Sequence, residues 1–457
     1  MHYECKLLDF KVQDILTTDE EDENKIKEFT IQMFGINEKG ESFMIRIPDY
    51  HPHFYIKVGA HWTEAIKMEF VYVLNSQLNE KFESIIECKL IKKKKLYGFD
   101  GEKEHNFVFV SFANIRSFNK IKSLFYTPYR DGERKLLETG YKFANTNCML
   151  YESEIPPLLR FFHEKEINPA GWIKIDNVTK MAQKISTCTF EFIVSKKNIE
   201  ALNEKNTSVP YKICSFDIEA SSSHGDFPIP KKTYKYLANN IFEKIEKHQE
   251  SLEDYIKESI LAAFGYKTLS HIKCVYTKTQ FDENHINTCI ENILNYKINS
   301  YDDVKEEEVD TLFSYMKSLR SYEDDEEEYE FKSTKKKRKS NIISILENAK
   351  IEKSEKIEML DKILTLKLPS LEGDKVTFIG STFLNYGEKK PYLNHCIVLN
   401  SCEPIENGEN SEIETYDTEK KVLCAWTKLI RRENPDIIIG YNIFGFDYQF
   451  MFIRSKE

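Results

Sequence analysis

The sequence predicts an α/β (α+β) protein in which a β-rich N-terminal domain precedes a domain built on a mixed sheet. Three patterns predict this class: period-two alternation early in the chain, a long helical and charged segment in the middle, and a regular succession of strands and helices at the end. The chain has 457 residues, of which 41% are hydrophobic, so it can form two or three domains with cores of their own.

The N-terminal domain is predicted over residues 1–150. Apolar and polar residues alternate in several short runs separated by polar turns, which is typical of strands with one buried face. These runs are EFTIQMF, SFMIRI, HFYIKV and NFVFVSF. A second domain is predicted over 151–457, opening with a short helix from Leu158 to His163 and a loop broken by Pro169.

Two further strands are predicted in CTFEFIVSKKN and YKICSFDIEA, before an insertion over residues 231–370. The insertion carries two helical patterns, in NNIFEKIEKHQESLEDYIKESILAAFG and NIISILENAKIEKSEKIEMLDKILTLKL. The first pattern places five apolar residues on one face: Ile241, Ile245, Leu252, Ile256 and Ile260. An acidic block and then a basic block occupy 321–341, a composition that predicts disorder. The basic residues Lys335 to Lys339 lie within this segment. Their composition is more typical of a solvated charge run than of a nuclear-import signal or a nucleic-acid contact.

The pattern after residue 370 predicts a mixed sheet. KVTFIGSTFL and HCIVLNS are typical of strands, and EKKVLCAWTKLIRREN of an amphipathic helix that ends before Pro435. Five residues of this helix are predicted to face inward: Val422, Leu423, Trp426, Leu429 and Ile430. A buried strand from Ile437 to Ile439, a loop over Gly440 to Gly445 and the start of another helix follow.

Composition excludes several classes of protein. No apolar run approaches the roughly 20 residues that cross a bilayer, and the N-terminus lacks a secretory pattern, so we expect no membrane partner and no secretion. Ten scattered cysteines without a CxxC pair predict neither a disulfide framework nor a zinc site. The net charge of −10 argues only weakly against a nucleic-acid partner, because binding needs no more than a local basic groove.

Two carboxylates stand one residue apart in the run CSFDIEASSSHGDFP. In a strand, Asp217 and Glu219 lie on one face while Phe216 and Ile218 point into the opposite layer. Two acids this close repel each other unless a divalent cation lies between them, which takes oxygen ligands and offsets the repulsion. Alone, a D-x-E pair is more typical of an exposed acidic strand end.

A second constellation lies in GYNIFGFDYQF. Asp447 falls in the first turn of the final predicted helix, where free N–H groups accommodate an anion, and Asn442 lies in the preceding loop. Taken alone, Asp447 is more typical of an acid at a helix start than of a metal ligand.

Together, FDIE and the later PDIIIGYNIFGFD resemble the first and second exonuclease motifs of family B DNA polymerases. The stretch YESEIPPLLRFF, with Gly171 and Trp172 after it, is similar to the segment ahead of the first motif. The stretch DIEASSSHGDFP, followed by a long insertion, looks most like the corresponding region in the delta-like polymerases of giant viruses that replicate in the cytoplasm. The resemblance covers essentially the whole chain.

The resemblance implies a ribonuclease H-like 3′–5′ proofreading exonuclease domain inside a DNA polymerase. On the family pattern, Asp217, Glu219 and Asp447 ligate two divalent metal ions, Mg²⁺ or Mn²⁺, while Asn442 and Phe446 place the 3′-terminal nucleotide. The implied partners are DNA, as a single-stranded 3′ end and a primer-template, and the remainder of the polymerase; a sliding clamp is a further candidate. The implied location is intracellular, in the host cytoplasm or the nucleus.

The family's third exonuclease motif and its polymerase palm have no counterpart in the sequence. We interpret the chain as the N-terminal portion of a polymerase, and expect it alone to make no DNA and to digest single strands feebly or not at all. Two alternatives stay open: a stand-alone exonuclease or RNA-processing nuclease, and a non-catalytic subunit that binds single-stranded DNA.

Overall fold

The computed structural model describes residues 2–16, 27–78, 84–96, 98–127, 135–222, 227–244, 251–297, 341–404, 408 and 410–457. The chain divides into two compact units between Tyr211 and Lys212. Among the described residues the first unit has two sheets and the second has one, and each unit has hydrophobic cores of its own, as predicted for an α/β (α+β) protein.

The first unit contains twelve strands among its described residues. They are β1 (Tyr3–Leu16), β2 (Lys27–Ile36), β3 (Ser42–Ile47), β4 (His53–Lys57), β5 (Ile85–Lys94), β6 (Glu104–Phe112), β7 (Tyr141–Phe143), β8 (Thr146–Tyr151), β9 (Trp172–Ile175), β10 (Thr179–Lys180), β11 (Phe190–Ile193) and β12 (Ile199–Ala201). One sheet has the order β10-β11-β3-β2-β1-β9-β12, and the other has the order β5-β6-β4-β8-β7.

Helices α1 (Glu64–Asn75), α2 (Ile115–Ser123) and α3 (Pro157–Lys165) belong to this unit, with a 3-10 turn at Lys196–Asn198. The side chain of Asn114 caps α2 by accepting the N–H of Ser117 at 2.8 Å. Helix α3 begins at Pro157, whose missing N–H costs nothing because the first N–H groups of a helix have no partner within it. The helix contains the residues predicted to be helical, Leu158 to His163.

The compact units divide after Tyr211, whereas the sequence predicted a domain boundary at residue 150. The difference arises because β9 and β12 continue the first sheet beside β1, and β11 pairs with β3 in parallel. The segment between 151 and 211 therefore packs with the N-terminal strands.

The second unit is built on a mixed sheet, as predicted. Its strands are β13 (Lys212–Ser221), β14 (Lys375–Asn385), β15 (Leu393–Leu399), β16 (Ser411–Tyr416) and β17 (Ile437–Ile439), in the order β16-β15-β14-β13-β17. The central strands β13, β14 and β15 run antiparallel, and the two outer strands pair in parallel with their neighbours.

Two expectations about the sheet edges were wrong or incomplete. Strand β17 is not buried, since Ile439 is 49% exposed, because the strand lies at the edge and pairs only with β13. Strand β16 was not predicted, because its residues SEIETY are half-buried or exposed and carry no apolar alternation.

Helix α9 (Glu419–Glu433) and helix α10 (Asp447–Lys456) follow the predicted course in this unit. The inward face of α9 is confirmed: Val422 and Leu429 are buried, and Leu423, Trp426 and Ile430 pack against the same core. The helix ends at Asn434, in the left-handed conformation, immediately before Pro435.

The insertion forms helices around a core of its own. They are α4 (Lys235–Lys244), α5 (Leu252–Ala263), α6 (Glu283–Leu294), α7 (Ile342–Glu347) and α8 (Lys353–Lys367). Ile241, Ile256 and Ile260 lie in this core as predicted, and Leu252 packs at its margin. Ile245 and the charged tract up to residue 340, with Lys335 to Lys339, lie outside the described residues, so the predicted disorder stays a prediction. Asn341, at the end of that tract, caps α7.

Among the described residues, no helix is long and apolar enough to cross a membrane.

Candidate active site

The face of β13 that carries Asp217 and Glu219 points away from the hydrophobic core. Phe216 and Ile218 are 3% and 4% exposed, whereas both acids are exposed, so burial alternates along the strand as the sequence predicted. At the two acids, β13 pairs with β14 on one side only, because β17 ends opposite Ser215, so the acids lie just beyond the end of the edge strand.

Asp447 is brought to this strand by the start of α10. It is the first residue of the helix and only 1% exposed, and its Oδ1 accepts the backbone N–H of Ile218 at 3.1 Å. The Oδ1 of Asp217 lies 3.1 Å from the same nitrogen. Strand β17 ends opposite Ser215, which leaves the Ile218 N–H beyond the ladder and available to these carboxylates.

Burial raises the pKa of the Asp447 carboxyl above its ordinary value, and the adjoining Asp217 carboxyl raises it further. The hydrogen bond from Ile218 acts in the opposite direction, because it stabilises the ionised form. Two acids held together at a partly dry site favour either a shared proton or a cation between them.

The donor set fits a hard divalent cation, since carboxylate oxygens are the ligands such ions prefer. Asp217 and Asp447 are assembled as a pair, and Glu219 lies two residues along the same strand face. Within the part of the chain that the structure describes, no three His, Cys, Asp or Glu side chains are already grouped as a metal site. The structure thus brings Asp447 to Asp217, but does not draw Glu219 into the same group.

The loop between β17 and α10 places Asn442 and Phe446. Asn442 has a φ of 53°, a left-handed conformation that asparagine tolerates, and its carbonyl accepts the N–H groups of Gly445 and Phe446, both at 3.0 Å. A Cβ on Gly445 would lie 2.3 Å from the Asn442 Oδ1, so glycine leaves room for the exposed amide.

Gly440 allows this loop to cross close to β13. A Cβ there would lie 2.9 Å from the carbonyl oxygen of Phe216 and 2.2 Å from Ile443. The close crossing sets where α10 begins, and therefore where Asp447 lies.

Phe446 is half-buried, immediately before α10, and its ring lies 5.4 Å from Phe450 and 6.0 Å from Phe227. Phe450 is 2% exposed and belongs to the core. Phe227, which is 74% exposed, was missed by sequence reasoning. The sequence feature that could have identified it is its position: an aromatic residue, in GDFP, that closely follows the strand with the two acids.

Beneath the site, aromatic rings fix α9 and α10 against β13. The ring of Phe216 lies 4.9 Å from Trp426 and 5.1 Å from Tyr448. Trp426 also donates its indole N–H to the hydroxyl of Ser381 on β14 at 3.2 Å. Because these contacts hold α10 on the sheet, packing of the core fixes the position of Asp447 at the start of that helix.

The sequence matches the family described as DNA polymerase family B, exonuclease domain, over residues 148–366 and 356–457. The chain belongs to this family. The matched regions contain both halves of the carboxylate site, with Asp217 in the first and Asp447 in the second.

Several DNA polymerases are similar to this family B chain. It is 43% identical to the DNA polymerase of Phaeocystis pouchetii virus, over 94% of this chain and 44% of that protein. It is 32% identical to the DNA polymerase of Pyramimonas orientalis virus, over 96% of this chain and 35% of that protein. The DNA polymerase delta catalytic subunit of Dictyostelium discoideum is 28% identical over 50% of this chain and 21% of that protein.

The chain therefore spans less than half the length of these curated relatives. Among solved structures, the family B DNA polymerase of Pyrobaculum calidifontis covers 99% of this chain and 32% of its own, with a TM-score of 0.45 and 11% identity. The family assignment rests on the sequence match, not on this structural similarity.

Proposed function

We propose that the chain carries the 3′–5′ exonuclease site of a family B DNA polymerase, which removes nucleotides from single-stranded 3′ ends. The observation that carries the proposal is that the carboxylates of Asp217 and the buried Asp447 meet at the same backbone N–H, that of Ile218. Glu219 lies beside them on the same face of the strand. A module that only bound DNA would have no use for acids that repel both each other and phosphate.

The proposed metal ligands are Asp217, Glu219 and Asp447. Two divalent ions, Mg²⁺ or Mn²⁺, would supply an activated water and stabilise charge on both the attacking and the leaving oxygens. The chain's own contribution is to hold the acids in place: α10 fixes Asp447, and the Ile218 N–H orients it toward Asp217.

The proposed nucleotide site lies at the start of α10. Phe446 and the exposed Phe227 present two rings on which an unpaired terminal base can stack, at about 1 to 3 kcal/mol per base and without sequence preference. Asn442, on the exposed loop, can donate and accept hydrogen bonds with that nucleotide. A primer-template and the remainder of the polymerase are proposed partners, and a sliding clamp and an intracellular viral location stay predictions.

Asp217→Ala tests the proposal in the longer polypeptide or assembly that joins this chain to the rest of a polymerase. We expect 3′–5′ digestion of 5′-labelled DNA to fall on the order of 100-fold or more, because charge stabilisation at the reacting phosphate is lost. Primer extension should persist, since it would use other carboxylates. Equal loss of both activities, or unchanged digestion, would contradict the assignment.

The matched control is Asp417→Asn, an exposed aspartate of the same unit that pairs with Lys421. It should leave digestion unchanged. That result would show that removing an acid elsewhere on the surface of this unit does not reduce digestion.

A further inference from the structure

The chain leaves the sheet for the insertion and returns to it through two segments that Asp374 joins. This residue lies one position before β14 and is only 5% exposed. Its backbone N–H donates to the carbonyl of Ile229 at 2.9 Å, and its Oδ2 accepts the N–H of Ile229 at 2.8 Å. Its Oδ1 accepts the ammonium of Lys232 at 2.7 Å. Asp374 therefore ties the outgoing segment to the sheet, because β14 pairs with the strand that carries Asp217 and Glu219.

Helix α10 holds the outgoing segment as well. The Arg454 guanidinium donates to the carbonyl of Pro230 at 2.9 Å. Gly373 faces the same two groups: a Cβ there would lie 2.2 Å from the Pro230 carbonyl oxygen and 2.7 Å from Nη1 of Arg454. This close approach requires a glycine. The backbone at Ile229 and Pro230 is thus tied both to the sheet and to the helix that begins with Asp447.

The ring of Phe227, two residues before Ile229, has little packing of its own. It is 74% exposed and lies 6.0 Å from the ring of Phe446. A side chain with so few neighbours is not held in place by the core, so its position depends on the backbone that carries it. Two residues of extended chain span at most about 7 Å, which places the tied backbone of Ile229 close to the ring.

The backbone between Ile229 and the ring is stiff. Its sequence is FPIP, so Phe227 and Ile229 each precede a proline. A residue before proline is restricted to extended conformations, and each proline ring fixes its own φ. A shift of Ile229 is therefore passed on to Phe227 rather than absorbed between them.

We propose that Asp374 is a positioning residue of the exonuclease site, which places the Phe227 ring under the 3′-terminal base by holding Ile229. The inference rests on the proposed function, because it concerns the same nucleotide site. Asp374 acts through base stacking and not through the carboxylates. Its loss therefore weakens substrate binding and leaves the hydrolytic step nearly unchanged.

The test measures steady-state digestion of single-stranded oligothymidylate by the longer polypeptide that joins this chain to the rest of a polymerase. Asp374→Ala should raise KM about tenfold and change kcat less than about twofold, because the ring is released while the acids stay in place. Asp374→Asn should recover much of the loss, since its amide oxygen can still accept the Ile229 N–H. An Asp374→Ala variant that lowers kcat with KM unchanged would overturn the proposal.

The matched control is Asp436→Ala. Asp436 makes the same two hydrogen bonds with Lys212: its N–H donates to the Lys212 carbonyl at 2.8 Å, and its Oδ2 accepts the Lys212 N–H at 2.7 Å. It lies one residue before β17, at the opposite end of β13 from the acids. We expect a KM within about twofold of the wild type. Equal increases in KM for the two alanine variants would reveal a general loss of structure and contradict a positioning role.

A double-mutant cycle with Phe227 tests the route of the effect. Phe227→Ala should itself raise KM about tenfold, and adding Asp374→Ala should raise it by less than about twofold more, because the ring is already gone. Additive effects would contradict the proposal. Pro228→Gly keeps the hydrogen bonds of Asp374 but loosens the segment, and should raise KM about threefold or more. A Pro228→Gly variant with a wild-type melting temperature and a wild-type KM would also contradict it.

An oligonucleotide with 2-aminopurine at its 3′ end gives a readout without digestion, because stacking on a ring quenches its fluorescence. Bound to the 457-residue chain in EDTA, it should be quenched about half as much by Asp374→Ala as by the wild type. Unchanged quenching and unchanged KM, with digestion still abolished by Asp217→Ala, would overturn the positioning role alone. Digestion that survives Asp217→Ala would instead overturn the proposed function on which the inference rests.

Discussion

The buried carboxyl of Asp447 is the residue on which the candidate site depends. A glutamate or aspartate at a helix start is common, and sequence alone could not distinguish Asp447 from such a residue. The structure adds two facts: the side chain is 1% exposed, and it shares the N–H of Ile218 with Asp217. An acid in this position costs stability unless a proton or a cation offsets its charge.

That cost predicts how stability depends on pH. Because the native pKa of Asp447 is raised, the native state holds its proton more tightly than the unfolded state, whose pKa is about 3.9. Stability from this group is therefore present at low pH and is lost as pH rises from about 4 through the native pKa. At pH 7 without metal, this group therefore contributes less stability than it does near pH 4.

Asp447→Asn should consequently stabilise the metal-free protein at pH 7 and raise its Tm, because the amide carries no charge to be held at the buried position. The Asn Oδ1 can still accept the Ile218 N–H, so the local geometry is kept. The gain should shrink as the pH falls toward about 4, because more of the wild-type carboxyl then holds a proton. Thermal melts at both pH values, with Asp417→Asn as control, check this; a variant less stable than wild type at pH 7 would contradict it.

At the scale of elements, one buried ion pair joins α10 to the rest of its unit. Arg454 and Glu419 have side chains only 8% and 10% exposed, with Nη2 and Oε2 at 2.6 Å. Glu419 also accepts the N–H of Val376 at 2.9 Å, and Arg454 donates to the carbonyl of Pro230 at 2.9 Å. The pair thus links α10, the start of α9, the start of β14 and the entry to the insertion.

Arg454→Met should destabilise the second unit by about 3 to 5 kcal/mol, because it leaves the buried Glu419 carboxylate without its charge partner. Adding Glu419→Gln should recover a large part of the loss. The exposed pair of Arg432 and Glu412 is the control, and Arg432→Met should cost less than about 1 kcal/mol. Chemical denaturation of the four proteins measures these values, and equal losses for the two arginine variants would contradict the interpretation.

At the scale of the whole molecule, the strands and helices with a regular apolar pattern were predicted from the sequence. Alternation along β13 located Asp217 and Glu219 on one face, and the helical pattern of α9 gave its inward residues. Strand β16 and the exposed edge at Ile439 escaped prediction, because edge strands need no apolar alternation. Phe227 and the division after Tyr211 depend on contacts between segments far apart in sequence, which local patterns do not contain.

The central claim, that these carboxylates form a metal-dependent exonuclease site, is tested most directly by calorimetric titration of the chain with Mn²⁺ at pH 7. We expect Asp217→Ala to weaken the binding at least about tenfold, because it removes a ligand, while the exposed control Asp417→Asn binds as the wild type does. Unchanged Mn²⁺ binding by Asp217→Ala, or no binding by the wild type, would contradict the account.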